Sequence, residues 1–388
     1  MAFNVSGVPL SSTYLKDSDI FEDYIGSSLW GWGYNGDGEL ALNNITNKRT
    51  PTQEITGGVN WKQISGCTYM NAGIKTDGSL WLWGSNYYGQ LGNGIYPGTV
   101  SSPVQTIAGG TNWKLVSCGN YHTMAIKTDG SLWGWGNNNA GNVGTNNTTP
   151  YSSPVQTIAG GNNWKLVAGG QYMTAAIKID GTLWLWGQNT NGQLGTNNIT
   201  SYSSPVQTVA SGNNWKQVSV REGQTAAIKT DGSLWTWGYN LYGQLGTNNI
   251  TSYSSPVQTI AGGTNWRQVS CGYQHTVAIK TDGSLWGWGN NTTGNLGDNT
   301  VVANSSPIQT IAGGTNWKYV SGGQATTAAI KTDGTLWTWG QDVTYGALGD
   351  NAFINQSSPI QTYAGGTNWK QVKANRLNML AITFTDYQ

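Results

Sequence analysis

The chain has 388 residues, long enough for two or three ordinary domains. Only 10% are Asp, Glu, Lys or Arg, yet it holds 56 Gly and 21 Trp, against an average charged share of roughly 25%. No apolar run approaches the roughly 18 residues of a membrane helix. A net charge of +1 lacks the basic excess of a nucleic-acid binder, so neither membrane nor nucleic acid is expected as a partner.

In chain order, residues 1–26 come first and stand outside any repeat. They lack the basic start and apolar core of a signal peptide, and three cysteines make no disulfide framework. Leu15–Ile25 is acidic and amphipathic, with Lys16, Asp17, Asp19, Glu22 and Asp23. We expect an arm that docks on the body of the chain or on a neighbouring subunit and serves as an attachment segment.

From residue 27 onward the chain is periodic. Leu-Trp-x-Trp-Gly occurs seven times, starting at Leu29, Leu80, Leu132, Leu183, Leu234, Leu285 and Leu336, at intervals of 51 residues with a single 52. Asn-Trp-Lys/Arg also occurs seven times, centred on Trp61, Trp113, Trp164, Trp215, Trp266, Trp317 and Trp369. Together the two strings account for all 21 tryptophans.

One unit shows the elements. Trp215–Ser219 reads as a short strand, A, and Gln224–Lys229 as a second, B, rich in small residues. Thr230-Asp231-Gly232-Ser233 is a tight Asp-Gly turn. Leu234–Gly238 is strand C, with Trp235 and Trp237 on one face of the pleat. Strand D follows a longer loop, and its Pro256 suits an edge. With no helical periodicity, four short antiparallel strands repeated seven times predict an all-β, seven-bladed β-propeller over residues 27–388. The chain enters this pattern at a C strand and leaves it after an A–B pair, so a split blade built from both ends closes the ring.

The unit Ala-Ile-Lys-Thr-Asp-Gly-Ser-Leu-Trp-Gly-Trp-Gly-x-Asn-x-x-Gly-x-Leu-Gly, as at residues 278–297, closely resembles the regulator of chromosome condensation repeat. The resemblance covers residues 27–386 and implies a seven-bladed propeller with this kind of split blade. The founding member of that family is a guanine-nucleotide exchange factor that docks on nucleosomes. That activity implies a basic tail and an inserted wedge, and this sequence has neither, so exchange is not expected. Near-identical units, low charge and linkers such as residues 246–256 resemble bacterial and phage versions of the repeat.

The repeated residues read as scaffold. The tryptophans are expected in the core, with the glycines beside them providing the recess on the next blade. The turn aspartates, from Asp77 to Asp386, read as turn chemistry rather than a metal-binding ring. His122, His275, Cys67, Cys118 and Cys271 form no recognised catalytic motif; a Cys118–His122 nucleophile and base is conceivable, but the cysteines read better as small strand-end fillers. No enzyme, cofactor or metal is expected.

Recognition is expected where the repeats differ. The step from Leu to the strand-D proline is 22 residues in five units and 23 in two, so length varies only in the C–D connection. In an antiparallel blade, the A–B and C–D connections share one rim, while the uniform Asp-Gly turns and Ala-Gly-Gly segments share the other. The divergent C–D loops carry Tyr34, Tyr87, Tyr88, Tyr96, Tyr239, Tyr242 and Tyr345; the A–B loops carry Tyr69, Tyr121, Tyr172, Arg221, Glu222, Tyr273 and Arg376. Tyrosine among Asn, Ser and Thr is paratope-like chemistry, suited to a protein or glycan. Two roles fit: a virion or tail component presenting this face, or a soluble cytoplasmic interaction module or protein inhibitor.

Overall fold

A computed structural model describes residues 26–56, 58–210 and 212–384. The expected arm, apart from Gly26, and the last turn aspartate, Asp386, lie outside the described residues. Seven four-stranded antiparallel sheets form a propeller, each in the order A-B-C-D from the centre outward. In the third blade these strands are Trp164–Gly169, Met173–Lys178, Leu183–Gly187 and Tyr202–Gln207. Pro205 falls in the outermost strand, where its missing N–H costs no ladder bond.

Blades one to six start with strand A at Trp61, Trp113, Trp164, Trp215, Trp266 and Trp317. The seventh joins both ends of the chain: Trp369–Ala374 and Asn378–Phe384 supply A and B, Ser27–Gly33 and Lys48–Gln53 supply C and D. The joint is seven consecutive antiparallel pairs, from Ser27 opposite Phe384 to Gly33 opposite Asn378.

Blades pack tryptophan face against aliphatic face. Between the second and third blades, Leu115, Met124, Ile126 and Leu132 meet Trp164, Val167, Ala176 and Trp186. A buried Trp removes on the order of 200 Å² from water, but a bond fixes the register: Trp186 Nε1 donates to the Asn142 carbonyl of the preceding blade at 2.9 Å. Thr174 Oγ1 donates to the same oxygen at 2.8 Å. The tryptophan bond recurs around the ring, and Trp32 closes the circle on the Ala347 carbonyl at 3.0 Å.

The recess for this tryptophan is not where it was expected. Gly187, directly after the Trp pair, has φ +100 and lies against its own strand B, where a Cβ would come 2.3 Å from the Tyr172 oxygen. The recess is made by the final glycine of Gly-x-Leu/Val-Gly in the preceding blade, here Gly141-Asn142-Val143-Gly144. A Cβ on Gly144 would stand 2.8 Å from Trp186 Nε1, and Gly144 has φ +80 besides. The core reading of the tryptophans also divides. The strand-A tryptophans and the second of each C pair are buried, whereas the first of each pair is half-buried beside the Asp-Gly turn.

That turn is a relay. Asp180 Oδ1 accepts the Thr182 hydroxyl at 2.7 Å, Thr182 Oγ1 accepts Trp184 Nε1 at 2.9 Å, and Lys178 Nζ lies over the Trp164 and Trp184 rings at 4.9 and 4.6 Å. The Thr182 hydroxyl bond holds the Asp180 carboxyl below its usual range. Side chains of the preceding blade cap the inner edges of the A strands. Gln63 donates to the Val116 carbonyl at 2.9 Å and accepts its N–H at 3.0 Å, and Ser65 Oγ accepts the Cys118 N–H at 2.9 Å. These strands surround a central channel of about 690 Å³.

Candidate interaction face

The divergent loops do share one rim. The N–H groups that follow strand C bond back to the A–B loop, as Asn137 does to the Tyr121 carbonyl at 2.8 Å. Six of the seven C–D loops are held by one buried asparagine, and the sixth blade has Asp342 in its place. Asn189 Oδ1 accepts the Leu194 N–H at 2.9 Å, and its Nδ2 donates to the carbonyls of Asn198 and Thr200 at 3.0 and 2.9 Å. A rigid base of this kind presents the variable residues between its anchors at fixed positions.

Three A–B loop tyrosines line up across three blades. Tyr69 and Tyr121 stack with centroids 5.6 Å apart, Tyr121 and Tyr172 likewise at 5.6 Å, and Tyr88 meets Tyr121 edge-on at 5.4 Å. Arg376 of the closing blade extends the row: its Nη1 donates to the Tyr69 hydroxyl at 2.6 Å and its Nε to Gln324 Oε1 at 2.7 Å. Burial within the row pushes the Tyr121 hydroxyl well above its usual range, so it stays a neutral donor.

A second group lies farther round. Tyr239 and Tyr242 sit 6.3 Å apart. Burial, then the Glu222 partner, raises Tyr273 to about 12, and burial raises Glu222 while Arg221 and Arg376 pull it down. Tyr34 and Tyr345 pair edge-on at 5.0 Å, half-buried against each other. Tyr87 and Tyr96 are exposed, at 56% and 60%, and join no ring contact among the described residues. Arg221 is displaced from its expected place: it ends strand A and lines the central channel. Gln324 was not foreseen, although it occupies the same loop position as Glu222, Tyr273 and Arg376.

The histidines and cysteines are interior residues. His122 Nε2 is 2.9 Å from Thr174 Oγ1, and burial takes its pKa down to about 3. Burial raises the Cys118 thiol well above its usual value, and its sulfur bonds to the Ser65 carbonyl rather than to His122. Among the described residues no group of three His, Cys, Asp or Glu could hold a metal, and no helix is long and apolar enough to cross a membrane.

Comparison with known proteins places this geometry. Residues 113–387 match the family described as the RCC1-like domain, and residues 77–126 match the regulator of chromosome condensation (RCC1) repeat. The ultraviolet-B receptor UVR8 of Arabidopsis thaliana is 31% identical over 303 residues, which span 77% of this chain and 69% of the receptor. The human E3 ubiquitin-protein ligase HERC2 is 26% identical over 83% of this chain, a stretch that spans only 7% of that protein. Among solved structures, Prp20p of Saccharomyces cerevisiae superposes with a TM-score of 0.83 at 16% identity, covering 96% of this chain and 95% of Prp20p.

Proposed function

Because this chain belongs to the RCC1-like domain family, we propose that it is a non-enzymatic protein-interaction module whose partner docks on the divergent rim. The observation that carries this reading is the row Arg376–Tyr69–Tyr121–Tyr172 with Tyr88, which crosses four blades and exists only in the assembled ring. Half-exposed tyrosines and an arginine, held by a rigid scaffold, are the residue types that dominate binding energy at protein interfaces. A protein partner is favoured over a glycan by the relatives, since Prp20p has been described with its binding to Gsp1p and histones. The histidines and the thiols are buried in the interior, away from the rim, which supports a non-catalytic role. The virion or tail role suggested by composition gains no support, because the similar proteins are cellular ones; an attachment role for residues 1–26 rests on sequence alone.

The test is affinity capture from the native source with three baits: the wild-type chain, the triple variant Tyr88→Ala/Tyr121→Ala/Tyr172→Ala, and Ile179→Ala on the opposite rim. A stoichiometric partner should be recovered with wild type and Ile179→Ala and lost with the folded triple variant. Equal recovery on all three baits would remove the rim from consideration.

A further inference from the structure

The C–D loop of the sixth blade breaks the bonding pattern that anchors the others. In the third blade, Asn189 Nδ2 donates to the Thr196 hydroxyl at 3.2 Å as well as to the carbonyls of Asn198 and Thr200. In the fifth, Asn291 Nδ2 donates to the Asp298 carboxylate at 2.9 Å and to the carbonyls of Thr300 and Val302 at 3.2 and 3.1 Å. One amide therefore fills a cup of oxygens. The sixth blade keeps the cup: Asp350, Ala352 and Ile354 stand where Asp298, Thr300 and Val302 do. The Ala352 N–H donates to Asp350 Oδ1 at 2.9 Å, as the Thr300 N–H does to Asp298 Oδ1 at 3.0 Å. Only the amide is gone, replaced by Asp342.

Asp342 is held in the pose of the asparagines. Its Oδ1 accepts the Leu348 N–H at 3.1 Å, as Asn291 Oδ1 accepts the Leu296 N–H at 2.9 Å, and its own N–H donates to Asn355 Oδ1 at 2.8 Å. A carboxylate fork has the shape of an amide fork, so Oδ2 takes the place of Nδ2 and is aimed into the cup. Asp342 is only 2% exposed, and its Oδ2 has no hydrogen-bond partner among the described residues. An ionised carboxylate only accepts, so an acceptor here faces acceptors, and Asp350 adds a like charge. A proton on Oδ2 would supply one donor where the amide supplies two. Arg49 of the closing blade reaches this loop, but its guanidinium lies over the Phe353 ring at 4.1 Å. A buried charge without a counter-charge is costly, and a cation among these oxygens removes the conflict.

We propose that this loop binds one calcium ion through the carboxylates of Asp342 and Asp350 and the main-chain carbonyls of Ala352 and Ile354. The donors are all hard oxygens, and two carboxylates match the charge of a divalent cation. In the fifth blade the cup oxygens stand 2.9–3.2 Å from the amide nitrogen. That spacing suits adjacent ligands in the crowded shell of calcium, whose bonds are about 2.3–2.6 Å and whose geometry is adaptable. Magnesium demands a near-octahedral shell and keeps most of its waters. With only two charged ligands, the site belongs to the weak calcium class, at roughly 10⁻⁴ to 10⁻³ M. Neither acid belongs to the tyrosine row, so neither proposal depends on the other.

Equilibrium dialysis of the full chain, stripped with a chelator and then exposed to radioactive calcium, tests the site at about pH 8, where the ligands are ionised. One saturable calcium per chain is expected. Asp342→Asn, which installs the residue of the other six blades and so keeps the loop folded, should weaken binding roughly ten-fold or more, because ligand charge sets affinity. Asp350→Asn should do the same, and is read alone should Asp342→Asn not fold. Asp298→Asn, at the equivalent place of the fifth blade, should leave binding unchanged. Thermal unfolding gives a second readout: calcium should raise the midpoint of the wild-type chain above its value in chelator and leave that of Asp342→Asn unmoved. No saturable calcium binding, unaltered binding by Asp342→Asn, an equal loss in Asp298→Asn, or tighter binding of magnesium than of calcium would overturn the proposal.

Discussion

Asp342 and Glu39 occupy places that the other repeats give mostly to amides. Where Asn189 both accepts and donates, Asp342 keeps only the acceptor bond, from the Leu348 N–H at 3.1 Å, and its Oδ2 has no hydrogen-bond partner. Where Gln90 accepts the Tyr88 N–H, Glu39 accepts the Asp37 N–H at 3.0 Å, and its Oε1 has none. Burial raises Asp342 to about 7 and Glu39 to about 8. A carboxyl raised in the folded state favours folding while protonated. Its contribution is whole below the ordinary carboxyl range and is lost as pH rises through about 7 and 8. Glu39→Gln and Asp342→Asn should therefore each stabilise the chain at alkaline pH by about 1–3 kcal/mol, the cost of an unsatisfied buried acceptor, and change little near pH 4. Thermal unfolding of each variant across that range checks it, and a pH-independent effect would refute it.

At the scale of the strand, the inner edge of each blade is an exposed row of backbone groups, covered here by the neighbour before it. Gln217 with Val269, Gln268 with Val320 and Gln371 with Ile64 repeat the Gln63 pairing. The glutamine is replaced by Leu115, Leu166 and Tyr319 in the second, third and sixth blades, and the third also has Ala168 where Ser would stand, so neither Leu166 nor Ala168 can bond to Val218 or Val220 of the fourth. Leu166→Gln with Ala168→Ser should raise stability by about 1 kcal/mol per bond gained, read as a higher urea midpoint at unchanged slope. The strands themselves were legible, because alternation, Asp-Gly turns and proline placement are local signals. The recess was not. Nothing local says that Gly144 serves a tryptophan 42 positions later in the next blade, and Ala41, at φ 60, holds the equivalent place with a side chain.

For the whole molecule, the period and the incomplete first and last units announce a closed seven-fold ring, and the ring closes as that pattern predicts. What the ring assembles was harder to read. Tyr69, Tyr121 and Tyr172 were recognisable as loop tyrosines, but their stacking depends on the angle between blades. Arg221 was misplaced because strand A of its blade runs to that residue, one longer than most of the others. The basic residues after the strand-A tryptophans stand out in the sequence only as part of a repeated string, and the common direction of the A strands brings five of them to one end of the central channel.

The closing joint also has a mechanical consequence. Ser27 and Phe384 lie opposite each other at one end of an antiparallel pair of strands. Tension applied through the two ends of the chain therefore loads one bonded pair at a time, and the joint unzips from that end. Tension applied across residues of different blades must instead slide whole strands past one another. In an optical trap, chains held by their ends should open at markedly lower force than chains held by cysteines placed in the outer strands of two opposite blades. Equal opening forces in the two geometries would show that the joint is not the weak seam of the disc.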